Sequence, residues 1–590
     1  MKKFLISLVS VVLVLSMVLG TTLSSASAAE QDTFQRVASG ALGGIVQGLI
    51  GGINAIFPNG RHFVDKEDFD PDKNFYEGTG ILEGENTNGQ WKLGHNEVSL
   101  VPDDWKEHTY YLGGFIAIEN GFSNNVEGVY DDMKARIVAI EDGSGRGINV
   151  FATIDCIGIT NSDIKEIRRQ LAELAGDKYD FASINVFATH AHSGIDTEGL
   201  WTNLFGKIFK NMFLSLIRSD KLEQGTDPHY MEFLYKTVAN GMLTACDNME
   251  TGSMSYARKD IGEEYFDNKN RSSASALITD MVRLTFTPDD ENSDPTMIVN
   301  IAGHPDVAGL PTEDNSGREV SGDYIYYIGE VLNEAGYNCM FFNGAIAGIY
   351  MNRGATNDAQ DMEHRAEQSA RYGREIGKIA LALTMDLDEI KTGELKEILY
   401  NEEEINAEIA MAQKNGGEYS LWCEGWTKAT EYGEVDPLLN VVIEQVYIPV
   451  TNPLIQLAGK LKLANYDVLV TGFRSYEICV EIGYMEFGDE LQVVMMPGEI
   501  VQDLVVGGDS LTASGSYSGK DFEYPCITEM FKNEDIICFG LANDAIGYVV
   551  PDNDYSMAIV YDHYQELISL GKYAASSIME GFEKLAKDVA

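Results

Sequence analysis

The sequence predicts an α/β fold, a mixed sheet with helices on its faces, and three observations point to it. After Leu112, short apolar runs alternate with longer stretches whose apolar residues recur every three to four positions. Hydrophobic residues are 44 % of the 590 and aromatics 10 %, a globular composition. No internal repeat or low-complexity linker breaks the alternation, which fits one large domain.

Taken in order, residues 1–28 read as a signal peptide. Lys2 and Lys3 precede an apolar run from Phe4 to Gly20, and Ala26-Ser27-Ala28 is an A-x-A cleavage site. The run is short for a bilayer span of ~20 residues, so cleavage and export are expected rather than a retained anchor. Residues 29–112 read as a Gly-rich, irregular segment. Its uncharged stretch from Val37 to Phe57 holds six glycines and is expected to be buried or packed on the surface.

In 113–590 strands are expected at 115–118, 136–140, 148–154, 184–188, 281–286, 297–301, 340–342, 441–447, 491–496 and 536–539. Helices are expected from Ser162 onward, where Ile164, Ile167, Leu171 and Leu174 share a face, and at 204–217, 323–334, 361–383 and 563–585. The charged stretch 389–408 reads as a solvated helix pair or an insertion.

Lys and Arg number 43 against 92 Asp and Glu, a net charge of −49. Such a surface repels phosphate backbones, which excludes nucleic-acid binding, and it repels a bare anionic membrane as well. Seven cysteines without a C-x-x-C pair exclude a cysteine zinc site and a disulfide-built scaffold; buried free thiols are expected.

Chemistry concentrates at strand ends. His190 and His192, with Ala191 between them, follow the apolar run SINVFAT; on a strand, residues i and i+2 share a face, so two imidazoles there can hold or flank a metal. Alternatively they are two hydrogen-bonded histidines near a turn. His304 ends the strand MIVNIAG, and Glu499 follows LQVVMM in Pro497-Gly498-Glu499, opening a helix-like stretch. Tyr548 follows IICFG.

These residues, in this order, resemble the neutral, non-lysosomal ceramidase family. Thr189-His190-Ala191-His192-Ser193-Gly194 matches that family's THTHSG, and Ala302-Gly303-His304-Pro305 its second zinc-histidine segment. Asn270-Arg271-Ser272 matches a segment whose arginine lies in the substrate site, Pro497-Gly498-Glu499 the segment of the zinc glutamate, and Tyr548 the zinc tyrosine. Tyr555 keeps the spacing of a further tyrosine. The resemblance runs from Gly113 onward. Three departures accompany it. Where the family carries G-D-V-S-P-N, this chain has Ala347-Gly348-Ile349-Tyr350-Met351-Asn352, so Tyr350 stands at the serine and Gly348 at the aspartate. Ala545 replaces a tyrosine, and another active-site tyrosine falls on Val560 with Tyr561 nearby. The third is that 113–590 leaves no room for an immunoglobulin-like C-terminal domain.

The resemblance implies one zinc per chain on His190, His304, Glu499 and Tyr548, with His192 as the proton shuttle and Arg271 and Tyr350 facing the substrate. It implies an exported zinc-dependent amidase of ceramidase type, secreted or in the cell envelope. Two alternatives stand beside it: a zinc hydrolase of another lipid-like amide or ester, and a metal-holding binding protein that has lost catalysis with its serine. The expected partner is a lipid-like small molecule, with room for peripheral membrane contact. The aromatic stretch 201–217 is either a wall of an acyl-chain pocket or ordinary core. Asp552-Asn553-Asp554 is either solvated or a structural calcium or magnesium site.

Overall fold

A strand that is apolar on both faces needs cover on both. The computed structural model describes residues 47, 48, 50–82, 84, 86–115, 124–270, 275–312, 315–352, 365–414, 420–557 and 564–589. Among these, nine strands form one sheet. Its path runs Asn338–Asn343, Thr296–Ile301, Asp280–Pro288, Glu250–Asp260, Trp91–Ser99, Lys134–Glu141, Ile148–Ile154 and Phe181–Ala188, with Glu431–Val435 beside Glu250–Asp260. The two outermost pairs are parallel and the rest antiparallel, so the sheet is mixed as predicted. A second sheet of six contains Val64–Asp65, Leu469–Gly472, Ser475–Phe487, Leu491–Met495 and Ile537–Phe539, with Leu439–Pro449 pairing along Ser475–Phe487.

The two sheets pack against each other, and helices cover the outer faces. Strand alternation shows the division. In Ser475–Phe487, Met485 and Phe487 point into the core between the sheets, where they meet Trp91, Val138 and Phe151. Ile478, Val480, Ile482 and Tyr484 point outward under Ile578, Met579 and Phe582 of helix Ala574–Asp588. On the larger sheet, Ile137, Val150 and Val186 lie under helices Asn161–Ala175 and Pro228–Asp247. Met297, Val299 and Phe341 lie under Asp323–Glu334 and Arg365–Ala382. Each such side chain, fully buried, contributes about 1.5–3 kcal/mol. The larger sheet curls, so that Phe187 and Phe342 from opposite edge strands approach with ring centroids 4.8 Å apart. Phe342 in turn stacks on Phe539 of the second sheet at 4.2 Å.

One buried ion pair ties the layers beside Phe181–Ala188. Arg168, on helix Asn161–Ala175, donates from Nη1 and Nη2 to the two carboxylate oxygens of Glu481 at 2.8 and 2.7 Å, and from Nε to the carbonyl of Ile184. Asn161 also donates to Glu481, and its amide N–H is held by Asp544. Burial raises the Glu481 pKa, but the Arg168 charge outweighs it, so the carboxyl is held below its usual range.

Segment 29–112, read as irregular, contributes strand Trp91–Ser99 to the interior of the larger sheet, and four of the predicted elements differ. Helix 563–585 is two, Tyr564–Leu567 and Ala574–Asp588, broken around Gly571. The charged stretch holds three short helices, Leu387–Thr392, Lys396–Leu399 and Glu402–Lys414, instead of a pair. Glu499 opens a two-residue strand, Glu499–Ile500, paired in parallel with Tyr548–Val549. The fourth is strand Phe181–Ala188, which ends before His190. The seven cysteines are buried and unpaired, as expected. In the Gly-rich segment, Ile50, Ile53 and Phe57 are buried against Met212 and Leu461. The signal peptide and residues 116–118 of the expected strand 115–118 lie outside the described residues, and Phe115 is not in a strand.

Replacing Arg168 by Ala leaves Glu481 as an uncompensated buried charge, and a loss of about 3–5 kcal/mol is expected in denaturant unfolding. Because the folded carboxyl has the lower pKa, its contribution is complete above the unfolded value of about 4.3 and disappears as pH falls through the folded one. The stability gap between wild type and Arg168→Ala should therefore narrow below about pH 4.3; a gap that stays constant on acidification would contradict the pairing.

Candidate metal centre

Three chain segments deliver the site, and one carboxamide aligns two of them. Asn343 ends the edge strand Asn338–Asn343. Its Nδ2 donates to the carbonyls of Thr189 (2.9 Å) and Gly303 (3.0 Å), the residues just before His190 and His304. Its Oδ1 accepts from the N–H groups of Gly303 and Gly344. The buried side chain thus spends both donors and accepts twice, fixing the two histidine turns against each other.

His190 does not sit on a strand, as its i, i+2 spacing to His192 suggested. Its φ is +70°, a left-handed conformation unusual outside glycine. The turn redirects the imidazole. Its Nδ1 meets the carbonyl of Ile157 at 2.7 Å and its Nε2 lies 3.4 Å from the Glu499 carboxylate. His304 repeats the pattern: Nδ1 faces the carbonyl of Ile349 at 3.0 Å and Nε2 lies 3.0 Å from the same Glu499 oxygen. With a carbonyl accepting the Nδ1 proton, Nε2 either donates the second proton of an imidazolium to Glu499 or, in the neutral ring, offers its lone pair to a metal, the arrangement of metal-binding histidines.

His192 completes the group. Its ring lies 4.7 Å from that of His190 and 4.9 Å from Phe115. Both of its nitrogens are sealed from solvent with no hydrogen-bond partner. The ligand atoms of His190, His192 and His304 lie within 4.8 Å of one another, the one such group of three among the described residues. Burial and the neighbouring imidazoles push His192 far below its ordinary pKa, so it is neutral at pH 7. Burial also lowers His304, but Glu499 outweighs it and the net shift is upward; the two imidazoles hold the Glu499 carboxyl low against its own burial. Orphaned imidazole nitrogens beside a buried carboxylate are a donor set that fits a divalent transition metal.

Glu499 and Tyr548 are register partners in their short parallel pair, so the phenol stands beside the carboxylate. Gly498 permits it: its φ is +73°, and a Cβ there would lie 2.5 Å from the carbonyl of Gly547. Tyr350 stacks on His304 with centroids 4.8 Å apart, and its hydroxyl meets that of Tyr564 at 2.8 Å. Tyr564 also reaches the Tyr548 hydroxyl at 3.3 Å. Burial raises all three phenols, so they stay protonated. Gly348 has φ +71°, and a Cβ would come within 2.3 Å of Asn270 Oδ1, so no aspartate fits there in this arrangement.

The imidazoles open onto a cavity of about 250 Å³. Its walls are mostly apolar, among them Phe63, Leu200, Val450, Ile455, Ile478 and Ile546, with Glu499 and Tyr548 at the metal end. Glu198 lines it too, and burial, reinforced by Asp196 and Glu499, pushes its carboxyl up to about 8. Asp196 shapes the loop that carries Glu198 and Trp201, accepting from the N–H groups of Glu198, Gly199, Trp201 and Thr202. Trp201 Nε1 is buried in that wall without a hydrogen-bond partner.

No family model matches the sequence, and no curated protein does. Among solved structures, the chain is similar to the neutral ceramidase from Pseudomonas aeruginosa, with a TM-score of 0.52 and 13 % identity over 84 % of this chain and 74 % of that one. It is similar also to a ceramidase complexed with C2, with a TM-score of 0.51 and 13 % identity over 84 % and 75 % of the two chains. This chain has the neutral ceramidase fold. The likeness is one of fold, and it bears out the α/β class and the family resemblance read from the motifs.

Of the sequence-predicted site residues, the structure brings together His190, His192, His304, Glu499, Tyr548 and Tyr350. Arg271 lies outside the described residues; its neighbour Asn270 is anchored to the carbonyl of Ala347. Tyr555 packs with Val501 and Tyr548 in a satellite cluster, its hydroxyl directed at the carbonyl of Glu566. Asp552 and Asp554 already accept hydrogen bonds from Ser576 and Tyr517. Val560 and Tyr561 lie outside the described residues. Sequence reasoning missed Tyr564 and Glu198: the first was hidden by the expected tyrosine spacing, the second by an unremarkable Thr-Glu-Gly run.

Asn343 touches no ligand atom, so Asn343→Leu isolates its aligning role. The variant should fold with a loss of about 1–3 kcal/mol, from the carbonyls and N–H groups left unpaired. Its metal affinity should fall about 10–100-fold, as for other groups that orient ligands. Competition with a fluorescent chelator measures this, and wild-type affinity in the folded variant would contradict the assignment.

Proposed function

We propose that the protein is an exported, zinc-dependent hydrolase of ceramidase type that cleaves an amide bond of ceramide or a related lipid. One observation carries the reading: two Nδ1-anchored imidazoles turn their Nε2 atoms to a shared buried carboxylate at one end of an apolar cavity. His190, His304, Glu499 and Tyr548 would hold the ion, and the fold shared with neutral ceramidases supports the assignment. Export rests on the leader at 1–28.

When bound, zinc supplies Lewis acidity toward a carbonyl and lowers the pKa of water to about 7. The apolar walls bind the acyl chain and exclude water from the scissile bond. His192, neutral and without a protein partner, accepts a proton from the attacking water at a ring nitrogen and returns it to the leaving amine. As protonated phenols, Tyr350 and Tyr564 are assigned to donate toward a developing oxyanion. Arg271 is assigned to the polar head of the substrate. Without a serine at position 350, the reaction needs no covalent intermediate.

Tyr350 also favours a second reading, a binding protein that retains the metal and has lost turnover. Metal analysis and hydrolysis of a fluorogenic short-chain ceramide separate the two. Zinc near one per chain is expected, with hydrolysis abolished by chelator and restored by zinc, and His190→Ala should lose most of the ion. A zinc-loaded protein that cleaves neither amides nor esters would leave the binding reading.

His192→Ala should keep zinc and lose turnover by roughly 10²–10⁴-fold, the span of a general acid–base group. Because its nitrogens share the three-histidine cluster, the alternative result is informative: loss of zinc from this variant would make His192 a ligand.

A further inference from the structure

Helix Leu204–Ile217 is apolar beyond what its packing uses. Ile208 and Met212 pack inward on Ile53, Phe57 and Leu461. Phe209, Phe213, Leu216 and Ile217 stay in solvent, 40, 45, 50 and 56 % exposed, and Ile56 beside them is 47 % exposed. Clustered exposed apolar side chains mark an interaction surface. On the neighbouring hairpin tip, Phe473 is 92 % exposed.

The charge of this face is opposite to that of the molecule. Three contiguous segments form it, 47–63, 204–224 and 453–475, joined through Asn211 to the carbonyl of Leu461 and Lys460 to the carbonyls of Asn54 and Phe57. They carry eight Lys and Arg against three Asp and Glu, in a chain whose totals are 43 and 92. Lys207 and Lys460 turn inward to backbone carbonyls. Arg61, Lys210, Arg218, Lys221, Lys462 and Arg474 remain around the apolar helix, with Lys210 paired to Glu223 and Arg218 to Asp220 in surface contacts that are worth little and can exchange for a phosphate. The same segments surround the cavity: Leu200 and Trp201 precede the helix, and Ile455 and Ala458 form the adjoining wall.

We propose that this face docks on the surface of an anionic lipid bilayer. Phe209, Phe213, Leu216 and Ile217 enter the boundary of the acyl chains, and Arg61, Arg218, Lys221 and Arg474 meet headgroup phosphates. No helix among the described residues is long and apolar enough to cross a membrane, so the helix lies in the interface. Docking there brings the cavity next to the lipids. The whole-chain charge repels an anionic surface, and the local reversal of sign selects which face approaches.

Co-sedimentation of the purified protein with vesicles tests this without reference to turnover, so its outcome is independent of the hydrolase reading. Phosphatidylcholine vesicles with about 30 mol % phosphatidylglycerol should bind the protein, pure phosphatidylcholine should bind it less, and salt should weaken binding to the anionic vesicles. The variant Phe213→Ser/Leu216→Ser/Ile217→Ser should keep its melting profile and lose at least about tenfold in partition. Arg218→Glu/Lys221→Glu, which leaves the apolar side chains in place, should lose about tenfold or more on anionic vesicles alone. Failure of the wild type to bind either vesicle would overturn the proposal, as would equal binding by both variants. A wild-type dimer that the serine variant converts to monomer, without vesicle binding, would assign the face to a second copy of the chain.

Discussion

The carboxamide of Asn343 is the constraint on which the site depends. Residues 190 and 304 follow strands that the sheet path separates widely, and they meet because the sheet curls until its two edges face each other. Apolar packing of Phe187, Phe342 and Phe539 brings the edges close, but such contacts are non-directional. Asn343 converts that approach into a defined geometry by holding the two carbonyls that precede the histidines. From there the backbone dictates the rest: the left-handed turn at His190 and the carbonyls of Ile157 and Ile349 aim both Nε2 atoms at one point.

Glu499 is stable at that point only in company. A lone buried carboxylate would be neutralised by its surroundings, whereas the imidazoles keep this one charged. Its surroundings are otherwise neutral donors: protonated phenols on one side and the unpartnered His192 on the other. The cluster therefore has charge and lone pairs to offer and few protein groups to accept them, which is the electrostatic signature of a site built for a cation. Away from the site, the Arg168–Glu481 pair shows the contrary solution, in which a buried carboxylate is satisfied bidentately by the protein itself.

Under the proposed function, the fold reconciles a strongly acidic chain with a lipid-like substrate. The chain carries 43 Lys and Arg against 92 Asp and Glu, whereas the segments 47–63, 204–224 and 453–475 carry eight against three and expose aromatic and aliphatic side chains. Net charge governs long-range behaviour, but a local patch governs contact once separations fall to about a Debye length of ~10 Å. Composition averages over faces, so it reports the long-range repulsion and not the local patch.

What the sequence determined by itself was the set of elements with strong periodicity and the identity of the chemical groups. The helices Asp323–Glu334 and Leu204–Ile217 and the strand Ile148–Ile154 were legible because short-range alternation reports burial directly. His190, His304, Glu499 and Tyr548 were legible as ordered motifs at strand ends. Strand Glu250–Asp260 and the thirteen-residue Ser475–Phe487 were missed, since polar and charged residues interrupt them, such as Arg258, which pairs with Asp280, and Glu481, which meets Arg168. Tertiary structure alone decided that the helix at 204–217 shows Phe209 and Phe213 to solvent, that Glu198 reaches the cavity, and that Tyr564 joins Tyr350 to Tyr548. Each of these depends on which distant segments share space, and that follows from the curl of one sheet against the other, a property no local stretch of sequence carries.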